Sequence, residues 1–300
     1  MKFRTNLNLL LLTCFLSACT SKPAVQPPIP TDAEHLTNLE HVDYSTKDSL
    51  ILMDVFQRLE DQSALSLGDL VVETGRCFYG TPYLARTLEK EGKERLVINL
   101  RELDCLTYGE NCLAIARCIK KGKTSFPAFC EELKTIRYRD GKLDGYPSRL
   151  HYFCDWIHNN KERGLVQDVS FELKAFPLER KINFMSTHPG NYTQLVEDSS
   201  LVEVIAGIED EINQREMYYI PETEIAAYEE YIHDGDILGI TTNIEGLAIQ
   251  HVTVAVKKDG RVHIQHASSS DMEVVLSKES LEAFLLGSKR ATGIVIVRPV

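Results

Sequence analysis

The stretch Asn99–Lys120, NLRELDCLTYGENCLAIARCIK, decides how the chain is read. Cys105, Tyr108, Cys112, Ile115, Ala116 and Ile119 recur at the three-and-four spacing of one helix face, while Glu110, Arg117 and Lys120 fall elsewhere, so the spacing predicts an amphipathic helix starting at the cysteine. Asp104 is the expected N-cap. A thiol at a helix N-terminus meets unpaired backbone N–H groups and the positive end of the helix dipole, both of which favour thiolate. Cys105 is therefore a candidate nucleophile; the competing reading is a buried structural cysteine.

Outward from this helix, residues 46–60 and 66–78 carry helical periodicity, the second leading into the turn Gly80-Thr81-Pro82-Tyr83. Leu96–Leu100 reads as a short strand. Helices are expected at 126–138, at 148–160 with Arg149, His151, Tyr152 and Trp156 on it, and at 195–213. After Arg215 the pattern turns to strands, at 217–220, 236–241, 247–257, 262–267 and 292–297, with one helix near 279–287. Helices followed by an antiparallel sheet predict an α+β domain.

His251 opens the strand HVTVAV, and Asp259-Gly260 turns it into RVHIQHAS. A two-residue loop pairs position i with 519 − i and sets His266 on the face of His251; a three-residue loop puts His263 there instead. The residues alone leave these two open. A cysteine nucleophile needs such a base, held by a third polar group.

At the other end, Lys2 and Arg4, the apolar Leu7–Phe15 and Leu16-Ser17-Ala18-Cys19 resemble a bacterial lipoprotein signal, which implies a signal over 1–18, lipidation of Cys19, and export to the periplasm on a membrane anchor, the outer membrane being preferred. Prolines at 23, 27, 28 and 30 make residues 19–43 an expected tether, with the catalytic domain over 44–300. Loss of Lys2 and Arg4 takes the net charge from −11 to −13, which disfavours nucleic acid and leaves the lipid as the expected membrane contact. Six cysteines then remain, and no metal-ligand spacing is present, so neither metal nor cofactor is expected.

Gly80-Thr81-Pro82-Tyr83, Asp104-Cys105, Gly235-Asp236-Ile237, His251 and His266-Ala267-Ser268 stand in the order of the NlpC-type papain-like cysteine amidases and peptidases of bacterial cell walls, which the chain resembles from about residue 65 onward. Leu100–Cys105, Ser148–Tyr152, Asn183–Ser186 and His266–Ser268 are similar to the N-acetylmuramoyl-L-alanine amidase branch. The resemblance implies a papain-like fold with the Cys helix on an antiparallel sheet, a Cys105–His251–His266 triad, Tyr83 near the oxyanion, and soluble muropeptides as substrate. Leu106-Thr107 departs from the Ser-Gly usual after the cysteine. Arg149 is a candidate for a substrate carboxylate; Glu102, His151 and Tyr152 are further candidates for the site. An endopeptidase cutting after D-glutamate and a non-catalytic wall-binding lipoprotein are the alternative functions.

Overall fold

The computed structural model describes residues 39–300; the expected signal, Cys19 and most of the expected tether lie outside them. Ten strands run in chain order: β1 Val42–Asp43, β2 Leu96–Val97, β3 Val166–Asp168, β4 Phe176–Pro177, β5 Tyr218–Pro221, β6 Ile237–Thr242, β7 Ile249–Lys258, β8 Arg261–Ser268, β9 Glu273–Leu276 and β10 Ala291–Pro299. The longer helices are α1 Thr46–Arg58, α2 Leu67–Cys77, α3 Cys105–Lys120, α4 Phe126–Arg137, α5 Phe153–Glu162, α6 Ser200–Asn213 and α7 Leu281–Leu286. The main sheet is ordered β4-β5-β10-β6-β7-β8-β9, with β3 also on β10, and its strand pairings among the described residues are antiparallel. This is an α+β architecture, as the element order predicts. β1 pairs in parallel with β2 and buries Val42, so the folded chain begins before the expected boundary at residue 44.

Two apolar layers flank the sheet. On one face Val252, Val254 and Val256 of β7 join a core with Leu70, Leu113, Ile115 and Phe129; on the other Leu238, Ile240, Ile264, Ile294 and Ile296 meet Leu281 and Leu285 of α7. The alternation of β7 thus serves both layers. Between α2, α4 and the strands β7 and β8, α3 is enclosed, and nearly every side chain from Thr107 to Ile119 is buried. The sequence expectation of a one-sided helix is corrected here: Glu110 and Arg117 are inside. Glu110 survives burial because Arg137 Nε donates to it at 2.7 Å, and Arg117 pairs with Glu132 at 3.1 Å.

A second correction concerns 148–160. Pro147 ends a short turn, Arg149 forms a bridge with Tyr138, and Leu150 N–H donates to the Arg137 carbonyl, so the backbone stays extended until Tyr152 caps α5. The helix expected over 195–213 is likewise broken at Asp198-Ser199, and only α6 runs on. β9 had no expectation.

What seats α3 on the sheet is Gly109. A Cβ built there would stand 3.2 Å from Val252 Cγ1, tighter than ordinary packing. Replacing Gly109 with Leu, which also has better helix propensity, is expected to destabilise the fold by about 1–3 kcal/mol through overpacking, measured by urea unfolding. A gain in stability would show that the contact between α3 and β7 is loose.

Candidate active site

The start of α3 is locked locally. Asp104 Oδ1 accepts from Thr107 N–H at 2.8 Å, and Thr107 Oγ1 accepts from Asp104 N–H at 3.0 Å, a reciprocal capping box. The Leu106-Thr107 departure thus has a use: Thr107 closes the box. Thr87 Oγ1 donates to the other Asp104 oxygen at 3.2 Å and ties the preceding loop to it.

Cys105 is a free, partly exposed thiol. The backbone N–H of Val252, the residue after His251, lies close enough to favour its anion, as do the N–H groups of Leu106 and of Cys105 itself. Burial nonetheless pushes the thiol up to about 12, the Asp104 carboxylate adds to the rise, and the three N–H groups oppose it without prevailing. Solvent access to the side chain moderates the desolvation. The expectation of a resting thiolate is therefore corrected: at neutral pH the group is a thiol, because leaving water outweighs the helix end.

The hairpin settles which histidine faces His251. Lys258 pairs with Arg261 and Val254 with Gln265, the register of a two-residue loop, and Asp259 (φ 52°) with Gly260 (φ 78°) has the paired positive φ of a type I′ turn. His251 and His266 consequently share a face, with His251 Nε2 2.7 Å from His266 Nδ1 and the rings nearly perpendicular at 80°. His263 faces elsewhere, its Nδ1 3.2 Å from the Ser277 carbonyl. With Nε2 engaged by His266, Nδ1 is the nitrogen His251 has left for a proton from Cys105; His251 Nε2–H then donates to His266 Nδ1, and His266 keeps its own proton on Nε2. Burial drives His251 down to about 3, with the neighbouring His266 adding to the effect, and burial drives His266 to about 4 against the pull of Asp271 and Glu279. Both rings are neutral at pH 7. A β-bulge between the pairs Ile240/His251 and Thr241/Ile249 marks where β7 enters the site.

Tyr83 is brought to the same place by a second route. Leu103 N–H donates to the Pro82 carbonyl and Leu84 N–H to the Leu103 carbonyl, so residues 82–84 run beside the approach to Cys105. Burial raises the Tyr83 phenol, with Cys105 and Asp104 as the charges nearest it, so it stays an O–H donor.

The remaining candidates lie elsewhere. Arg149, expected to hold a substrate carboxylate, is 4% exposed and committed inside the protein: Nη2 is 2.5 Å from Glu89 Oε1, Nε is 3.4 Å from Glu94 Oε1, Nη1 donates to the Leu88 carbonyl at 2.8 Å, and the guanidinium stacks on Tyr146. That role is corrected to an internal tie. Tyr152 is buried, donating to Glu209 at 2.6 Å and accepting from Met185 N–H. His151 Nε2 lies 2.9 Å from the Tyr146 carbonyl, its ring kept neutral by burial and Arg149. Glu102 receives the Asn99 amide at 3.4 Å. Sequence reasoning missed Thr107, whose signal was its spacing of three from Asp104, and Gly109, a lone glycine in a helical pattern. Among the described residues no group of three or more His, Cys, Asp or Glu is placed to hold a metal ion, and no helix is long and apolar enough to cross a membrane.

Several known proteins share this arrangement of elements. Residues 73–294 match the family model AmiA-like, N-acetylmuramoyl-L-alanine amidase-like. A solved N-acetylmuramoyl-L-alanine amidase from Bacteroides uniformis is 40% identical over 78% of this chain and 98% of its own, with a TM-score of 0.74. A Bacteroides fragilis structure described as a xylanase is 39% identical over 75% of this chain and 98% of its own, at 0.70. A Legionella pneumophila protein, 23% identical over 85% of this chain and 95% of its own, shares the fold at 0.66. No curated protein matches the chain. Spanning most of the folded residues and carrying the helix, hairpin and turn described above, the match shows that this chain belongs to the AmiA-like, N-acetylmuramoyl-L-alanine amidase-like family.

Proposed function

We propose that the protein is a cysteine amidase of the NlpC-type, papain-like kind, hydrolysing the amide between the lactyl group of muramic or anhydro-muramic acid and L-Ala in peptidoglycan fragments. The observation that carries this reading is the 2.7 Å contact between His251 of β7 and His266 of β8, with the next backbone N–H along β7, that of Val252, near enough to Cys105 to favour its anion. A thiol, a neutral imidazole and a third group that holds its tautomer are the parts acyl transfer needs.

Because thiol and imidazole rest neutral, attack and proton transfer go together. As Cys105 Sγ bonds to the amide carbonyl carbon, its proton passes to His251 Nδ1, and the imidazolium formed is stabilised through Nε2–H by His266. The carbonyl oxygen takes the negative charge and is met by Cys105 N–H and the Tyr83 O–H, donors of a kind worth about 3 kcal/mol each. His251 returns the proton to the leaving nitrogen, the C–N bond breaks, and a thioester remains. Water, giving its proton to His251, cleaves the thioester; the lactyl acid leaves and the thiol is restored. Attachment of a lipid at Cys19, with the enzyme held in the periplasm at the outer membrane, completes the proposal and fits soluble wall fragments as substrate.

Incubating the mature protein with defined muropeptides and weighing the products tests the bond. Intact stem peptide plus free muramic sugar is expected, while Cys105→Ala is expected to lose roughly a thousandfold or more of the rate; fragments cut inside the stem would establish the endopeptidase instead.

The pH profile tests the base. His251 works only unprotonated, so activity is lost as pH falls through its folded value; with that value near 3, kcat/KM is expected to hold through pH 6 and to fall only well into acid. An acid limb at about 6.5, the ordinary histidine value, would show that His251 is not desolvated as described.

A further inference from the structure

Met272 sits where its residue type does not belong. It closes the turn between β8 and β9 with φ 61°, a left-handed conformation that suits Gly or Asn and strains a long side chain, and 59% of its surface is exposed. Around it the turn is fastened: Asp271 N–H donates to Ser268 Oγ at 3.1 Å, and Ser268 Oγ donates to Asp271 Oδ2 at 2.7 Å. The Met272 carbonyl accepts from Tyr83 N–H at 2.9 Å, and Val274 exchanges backbone hydrogen bonds with Gly80 and Thr81. The strained methionine is therefore fixed beside the tyrosine nearest the nucleophile.

From this we infer that Met272 is an apolar lip that determines specificity by packing on the muramic half of the substrate, an inference that rests on the amidase reading above. A strained exposed apolar residue is retained against its backbone preference when a ligand uses it. Charge chooses the half. The exposed carboxylates of Asp271 and Glu273 flank Met272, Asp104 lies near Tyr83, and Arg86, the next cation along the chain, bears on Tyr192. The stem peptide carries D-glutamate and its carboxylates, which this turn repels. The sugar half offers uncharged C–H faces and the methyl group of its N-acetyl substituent, which an apolar lip covers.

Steady-state kinetics on two substrates with the same scissile amide, N-acetylmuramoyl-L-Ala-D-Glu and lactyl-L-Ala-D-Glu without the sugar ring, test the lip. Met272→Asn, which suits the left-handed backbone, is expected to raise KM for the muramyl peptide roughly tenfold with kcat held within about twofold, to leave the lactyl peptide unaffected, and not to lower the unfolding midpoint. An unchanged KM, an equal rise on both substrates, or a lowered midpoint with kcat and KM moving together would each overturn the lip. Wild-type protein that cleaves neither substrate would overturn the amidase reading itself, and the lip with it.

Discussion

A helix brings its first residue against the opening of a strand only if the next turn presents nothing bulky to that strand. Gly109, one turn after Cys105, meets this constraint: its bare Cα faces Val252, and the helix sinks until Cys105 comes near the Val252 N–H. Much else answers to the same approach. Enclosing α3 forces Glu110 and Arg117 to find internal partners, and Gly75 in α2 makes room on the other side, where a Cβ would stand 2.3 Å from the Tyr108 hydroxyl.

That depth sets the chemistry as well as the position. A shallow thiol at a helix end is stabilised as an anion; this one loses more hydration than three N–H groups return, and its partner imidazole loses hydration too. In the proposed reaction the pair starts uncharged and becomes charged only when an acyl carbon arrives to take the sulfur. On that proposal His266 matters more than in an ion-paired site, because the imidazolium would form in a desolvated place and need an acceptor already aimed at its Nε2–H.

What could be read from the chain was what lies close in sequence. Asp259-Gly260 announced its turn, and the turn's length carried the choice between His266 and His263. Asp104 announced the helix start, and the element order announced the α+β class. Arg149 misled because its partners, Glu89 and Glu94, stand more than fifty residues back, and an arginine bound for an internal carboxylate looks the same as one bound for a ligand. Glu110 misled for a like reason: the helix period assigns a charged position to solvent unless a distant Arg137 is known. Met272 was invisible, since a left-handed methionine leaves no mark in composition or spacing.

The two-residue turn has one more consequence, in time. His251 and His266 stand 15 positions apart across a two-residue turn, while Cys105 and the residue after His251 are 147 positions apart. Hairpins of this kind zip in microseconds, and distant contacts wait on the slower closure of large loops. The two imidazoles are thus expected to meet before the thiol reaches them, which would leave the proposed nucleophile unarmed until the distant contact closes.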